Sequence, residues 1–173
     1  DLKAHGGKNK AVYAYSYKHY EYWESLLKKD FSNNYGLVGE NLTIDDLDEK
    51  KYFIGDEIQI SNAILKVTQP RIPCYKLGIK MNNKEFVKLF IDYNHLGMYL
   101  KVIKSGVIKK GDNIELIHRD NKSMSVYEIS KLIFDKNINV EKIKKALKIN
   151  FLPEEIKERF ISRLVKLGHY EII

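Results

Sequence analysis

Up to residue 117 this chain alternates apolar and polar residues in short runs; beyond residue 124 the period becomes that of a helix. That change constrains the fold more than any other feature, because an alternating run buries one face of a strand and a 3.6-residue stripe buries one side of a helix. Residues 11–17 place Tyr13, Tyr15 and Tyr17 on one face and Val12, Ala14 and Ser16 on the other, which predicts a strand. Residues 41–44, 57–60, 64–68, 98–104 and 113–117 read as further short strands, with Ser61-Asn62 as the turn between the third and fourth. Two helices interrupt them: 19–29, where Tyr20, Trp23 and Leu27 form a stripe, and 83–94, carried by Phe86, Leu89, Phe90 and Tyr93. Gly55-Asp56 and Gly111-Asp112 each precede a strand, a likeness too short to be an internal repeat.

Three helices close the chain, at 125–135, 140–148 and 153–167. Pro153 suits a helix start, Glu154 and Glu155 suit the positive end of its dipole, and Gly168 suits its stop. The expected class is mainly β with α: a partly closed barrel with intervening helices over 1–121, then a three-helix appendage over 122–173. Most aromatic residues fall on strand or helix faces, so core packing explains them better than stacking on nucleobases.

The single cysteine excludes a disulfide framework and a cysteine-ligated iron–sulfur cluster within one chain. It fits a reducing, cytoplasmic setting. No apolar run approaches a membrane span and no signal peptide is visible, so no membrane partner is expected. The net charge of +7 invites a nucleic-acid partner, but the lysines are scattered among acids, and no block of five or six like charges occurs. A solvated lysine-rich surface, or one that meets an anionic ligand or acidic protein, is the better reading.

That cysteine, Cys74, lies in Gln69-Pro70-Arg71-Ile72-Pro73-Cys74-Tyr75-Lys76-Leu77. Two prolines stiffen the backbone ahead of the sulfur, and Arg71 and Lys76 flank it with positive charge. Neighbouring cations favour the thiolate, the form that ligates soft metals and attacks electrophiles. Against this stands the common role of a free cysteine as a small buried hydrophobe. His5-Gly6-Gly7-Lys8 lacks the spacing of a phosphate loop but lets backbone approach a ligand, unless it is only a tight turn into the first strand. Asn41, after Gly39-Glu40, either bonds its own turn or offers its amide to a heterocycle. The five histidines show no pair at metal-ligand spacing. Neither a Gly-x-Ser-x-Gly elbow nor a dinucleotide fingerprint occurs, so no site for a flavin or nicotinamide is visible.

Taken together, several segments resemble the MOSC-domain family, named for the C-terminal domain of molybdenum-cofactor sulfurases. They are His5-Gly6-Gly7, Lys10-Ala11-Val12-Tyr13-Ala14-Tyr15, His19-Tyr20 with Trp23, Gly39-Glu40-Asn41-Leu42-Thr43, Ile54-Gly55-Asp56, the cysteine segment, and Gly97-Met98-Tyr99-Leu100-Lys101-Val102. The nearest likeness is to the YiiM-like subgroup linked to resistance against 6-N-hydroxylaminopurine, whose three-helix appendage matches the last helices here.

The resemblance implies a β-barrel whose cleft holds the molybdenum cofactor, Mo-molybdopterin, with Cys74 as both the catalytic residue and the ligand to molybdenum. It further implies that Arg71, Asn41, His5, Gly6 and Gly7 bind the cofactor, Arg71 through phosphate or pterin oxygens. Lys10 and Lys76 are possible contributors. Family members carry further β structure ahead of the His-Gly-Gly segment, so strands preceding Asp1 are expected. The implied activity is reduction of N-hydroxylated compounds such as N-hydroxylated purine bases, with an external flavoprotein reductase as electron donor. Two alternatives stay open: a non-catalytic carrier of cofactor or sulfur that uses Cys74, and a small nucleic-acid-binding barrel indifferent to Cys74.

Overall fold

The computed structural model describes residues 6–32 and 34–169. Six strands form one mixed sheet: β1 (Val12–Ser16), β2 (Leu42–Ile44), β3 (Glu57–Ile60), β4 (Ala63–Pro70), β5 (Met98–Lys104) and β6 (Ile114–His118). Their order is β2-β1-β5-β4-β3-β6, and the sheet curls into a half-barrel surrounded by six helices. All pairs are antiparallel except β1 with β2, which are parallel. A parallel pair needs a crossover, and α1 (Tyr17–Leu27) lies in the segment joining these two strands.

The remaining helices are α2 (Tyr75–Lys80), α3 (Phe86–Tyr93), α4 (Val126–Phe134), α5 (Val140–Leu147) and α6 (Glu154–Lys166). Each element expected from the pattern is present, so the expected class, a mainly β half-barrel with helices, is the observed one. One further helix, α2, is not marked by any sequence pattern. Six residues directly after Pro73 are too few to display a helical stripe.

The alternation of β1 separates two cores. Tyr13 and Tyr15 point into an aromatic cluster with Tyr20, Trp23, Phe86 and Phe90. Ala14 points the other way, into an aliphatic cluster that runs from Ile58, Leu65 and Val67 through Val126 and Ile129 to Phe160 and Leu164. The sheet and α4–α6 therefore share one buried core, and Tyr13, Tyr15 and Trp23 are packing residues, as the pattern suggested. Burying such rings contributes roughly 1.5–3 kcal/mol each. Gly97 lets β5 start against β1: its φ is 72°, and a Cβ there would sit 2.4 Å from the carbonyl oxygen of Ala14.

Helix ends follow the chemistry of exposed amides. Ser125 and Glu128 form a reciprocal capping box on α4, and Asn139 caps α5 through the amide of Lys142. Pro153 occupies the N-cap of α6, and Gly168 follows it with a φ of +85°. The two Gly-Asp pairs diverge in role. Asp56 is fully buried and takes a two-pronged ion pair from Arg119 (3.1 and 2.7 Å), whereas Asp112 caps the backbone amide of Lys109.

Candidate functional site

The site is assembled where β4 ends and β5 begins. A bulge between Val67 and Gln69 ends the alternation of β4, so Thr68, Gln69 and Pro70 are all buried. The Thr68 hydroxyl donates to the carbonyl oxygen of Asn9 (2.6 Å), with that of Tyr99 at 3.0 Å. This ties the short turn over Lys8–Lys10 to the sheet. After Pro70 the chain runs without regular structure to Cys74, the extended N-cap of α2.

Cys74 is part-buried and lines a cleft of about 540 Å³ with Lys10, Gln69, Ile72 and Tyr99. The opposite wall is α6, through Glu155, Glu158 and Arg159. Lys10 bridges the two walls with an ion pair to Glu155 (2.8 Å). That volume suits a small organic ligand.

Arg71 is not a wall of this cleft. Its guanidinium lies 4.7 Å over the ring of Tyr13, and Tyr13 in turn packs 5.2 Å from Tyr99, a cleft residue. Burial pushes the Tyr13 phenol well above its ordinary range, so it stays a neutral donor, to the carbonyl oxygen of Leu96 (2.7 Å). The Nη1 atom of Arg71 is buried without a hydrogen-bond partner among the described residues. Gly39, with φ +91°, sits beside it; a Cβ there would lie 3.6 Å from that nitrogen.

Glu40 adds to this arrangement. One carboxylate oxygen accepts from Tyr20 Oη (2.6 Å), the Gly36 amide (2.8 Å) and Thr43 Oγ1 (3.1 Å), while Oε2 is buried and unpartnered. Gln69 is 1% exposed, and neither Oε1 nor Nε2 has a partner among the described residues. Buried polar atoms are nearly always paired, so the open atoms of Gln69 and Arg71, both in the cysteine segment, and of Glu40, which follows the Gly39 that adjoins Arg71, are candidates for ligand contacts.

The other residues expected at the site fall as follows. Asn41 accepts the Tyr13 amide (2.8 Å) and donates to Ala11 (3.5 Å), bracing β2 against β1 and leaving one amide hydrogen without a partner among the described residues. Gly7 has φ +99° with open space where a Cβ would stand. Gly6 precedes it and is half-buried. His5 lies outside the described residues. Lys76 is exposed on α2.

A separate cluster joins residues far apart in sequence, so no spacing marks it. His19 from α1 and His95 from the loop before β5 both meet Oε2 of Glu49, at 3.3 and 2.7 Å. Glu49 Oε1 accepts the Gly97 amide (2.9 Å), and His19 Nδ1 meets Tyr93 Oη (3.0 Å). Burial alone would raise this carboxyl; the bonds from the two histidines outweigh it and bring it down to about 2. The three donor atoms lie within 4.8 Å of one another, yet each is already bonded inside the protein.

A curled mixed sheet of half-barrel form, with a cysteine and one unpartnered buried amide at a polar cleft, is the fold and site of this protein. Residues 1–115 match the model of the MOSC domain, and the chain belongs to that family. It is 35% identical over 167 residues to the uncharacterized protein YflK of Bacillus subtilis, covering 96% of this chain and 75% of that one. A protein named reductase from Gibberella moniliformis is 32% identical over 139 residues, 79% of this chain and 25% of that protein. The crystal structure of YiiM from Geobacillus stearothermophilus superposes with a TM-score of 0.85 at 30% identity, covering 91% of this chain and 80% of that one. No described helix is long and apolar enough to cross a membrane.

Proposed function

We propose that this protein binds the molybdenum cofactor and reduces N-hydroxylated compounds, such as N-hydroxylated purine bases, with the Cys74 thiolate as ligand to molybdenum. The observation that carries the reading is Cys74 at the wall of a polar cleft, with the buried guanidinium of Arg71, its Nη1 unpartnered among the described residues, three positions ahead of it in the same segment. The residues fit the group. A soft sulfur donor suits a metal held by dithiolene sulfurs, and a buried guanidinium with a free N–H suits phosphate or pterin oxygens. MOSC domains in general are associated with this cofactor.

In this reading Arg71 supplies the charge-assisted bonds to the cofactor, held flat by its stacking on Tyr13. The Gly6-Gly7 backbone and the spare amide hydrogen of Asn41 are further contacts, with His5 adjoining them in sequence. When bound, the cofactor supplies an acceptor for the oxygen of the N–OH group. The N–O bond breaks, the oxygen leaves as water and nitrogen gains hydrogen, consuming an electron pair and a pair of protons. The chain shows no motif for a flavin, haem or iron–sulfur centre, so the electrons are assigned to an external flavoprotein reductase. A net charge of +7 favours docking of an acidic carrier.

The test is molybdenum and pterin per chain after expression in a cofactor-competent host, for wild type and Cys74→Ser. Near-stoichiometric metal in the wild type and its loss in the variant, with reduction of 6-N-hydroxylaminopurine by the wild type, is the expected result. Metal-free wild-type protein would overturn it.

A further inference from the structure

The walls of the Cys74 cleft are not equivalent. Lys10 and Glu155 satisfy one another across it, and Tyr99 packs against Tyr13. Gln69 alone among the buried, unpartnered side chains of the described residues lines it. The free Nη1 of Arg71 lies against Gly39 instead, outside the cleft walls. Gln69 is 1% exposed and reaches the cleft from the bulged end of β4, where Thr68 is pinned to Asn9 and Tyr99. A carboxamide held this way keeps a desolvated donor and a desolvated acceptor side by side, an arrangement that costs stability unless something binds both.

We propose that Gln69 is the substrate-selecting group of the Cys74 cleft, recognising an amidine-type edge in which a ring nitrogen adjoins the N-hydroxylated nitrogen. This inference rests on the reductase reading and adds the class of substrate. Nε2–H donates to the ring nitrogen, and Oε1 accepts from the exocyclic N–H or O–H. A carboxamide makes a comparable two-point contact with the N6/N7 edge of adenine. An N-hydroxylated compound without the ring nitrogen leaves the amide half unmade, so the site discriminates by the penalty of an unpaired buried group. Gln69 touches the substrate in this assignment, while Cys74 and Arg71 hold the cofactor.

The experiment uses the full chain as purified, without an electron donor, so that binding is read apart from turnover. Calorimetry compares 6-N-hydroxylaminopurine with phenylhydroxylamine, which has no ring nitrogen, on wild type, Gln69→Leu and Gln69→Glu. In both variants the purine is expected to bind at least about ten-fold more weakly, with phenylhydroxylamine changed by less than about two-fold. Molybdenum and pterin per chain should be unchanged. Gln69→Leu should also melt a few degrees higher than wild type, since it removes an amide that no group among the described residues satisfies. A structural glutamine would give the opposite shift. Unchanged purine affinity in the variants, or loss of pterin with the purine preference intact, would overturn the proposal. If the wild type holds no molybdenum yet the purine preference depends on Gln69, the selection role stands and the reductase reading falls.

Discussion

At the scale of single residues, the balance between burial and bonding decides which groups are free for chemistry. Glu49 is almost wholly enclosed, yet His19, His95 and the Gly97 amide leave no oxygen unbonded. The side chain of Gln69, equally enclosed, has no hydrogen-bond partner among the described residues. The first is a structural device; the second is the group proposed to meet the substrate. Because the folded-state carboxyl of Glu49 lies at about 2, below its ordinary 4.5, its contribution is fully present above about pH 4.5 and is lost as pH falls towards 2. That shift corresponds to about 3 kcal/mol. Urea unfolding of wild type and Glu49→Gln should therefore show a stability gap at pH 6 that narrows steadily between pH 4.5 and 2.5; a gap independent of pH would contradict this. Cys74 and Arg71 could be singled out from sequence because prolines and charge surround them. Gln69 could not, since an unpaired amide becomes visible only when its neighbours are known.

At the scale of elements, the strands and long helices were legible because each buries one face over several periods. Helix α4 shows how local chemistry fixes a boundary: Ser125 and Glu128 satisfy each other's backbone amides. Ser125→Ala should cost about 1 kcal/mol, read as a lower urea midpoint with unchanged slope. Helix α2 was illegible for the reason that makes it useful: a single short element after two prolines has no pattern of its own, and it presents Cys74 at its start. The walling of the cleft by α6 was equally hidden. Its apolar stripe of Ile156, Phe160 and Leu164 predicts that it packs, but not against what.

At the scale of the molecule, one core joins the sheet to α4–α6, so the helical tail and the cysteine cleft are parts of a single unit. The scattered lysines give a positive exterior of net +7 that no local motif explains. If an acidic flavoprotein delivers the electrons, turnover at limiting reductase should fall several-fold as salt rises from about 20 to 200 mM, because the Debye length shrinks from roughly 20 to 7 Å. Turnover insensitive to salt would remove the electrostatic argument for that partner.

The sequence by itself determined the order and type of most elements, the two faces of β1, and the prominence of the Cys74 segment, all properties set by near neighbours along the chain. Only the tertiary structure decided that β1 and β2 run parallel, that α6 closes the cleft, that His19 and His95 share one carboxylate, and that the Gln69 amide has no partner among the described residues. Each of these depends on which distant groups come within bonding distance and which water is excluded, and that is settled by packing rather than by sequence spacing.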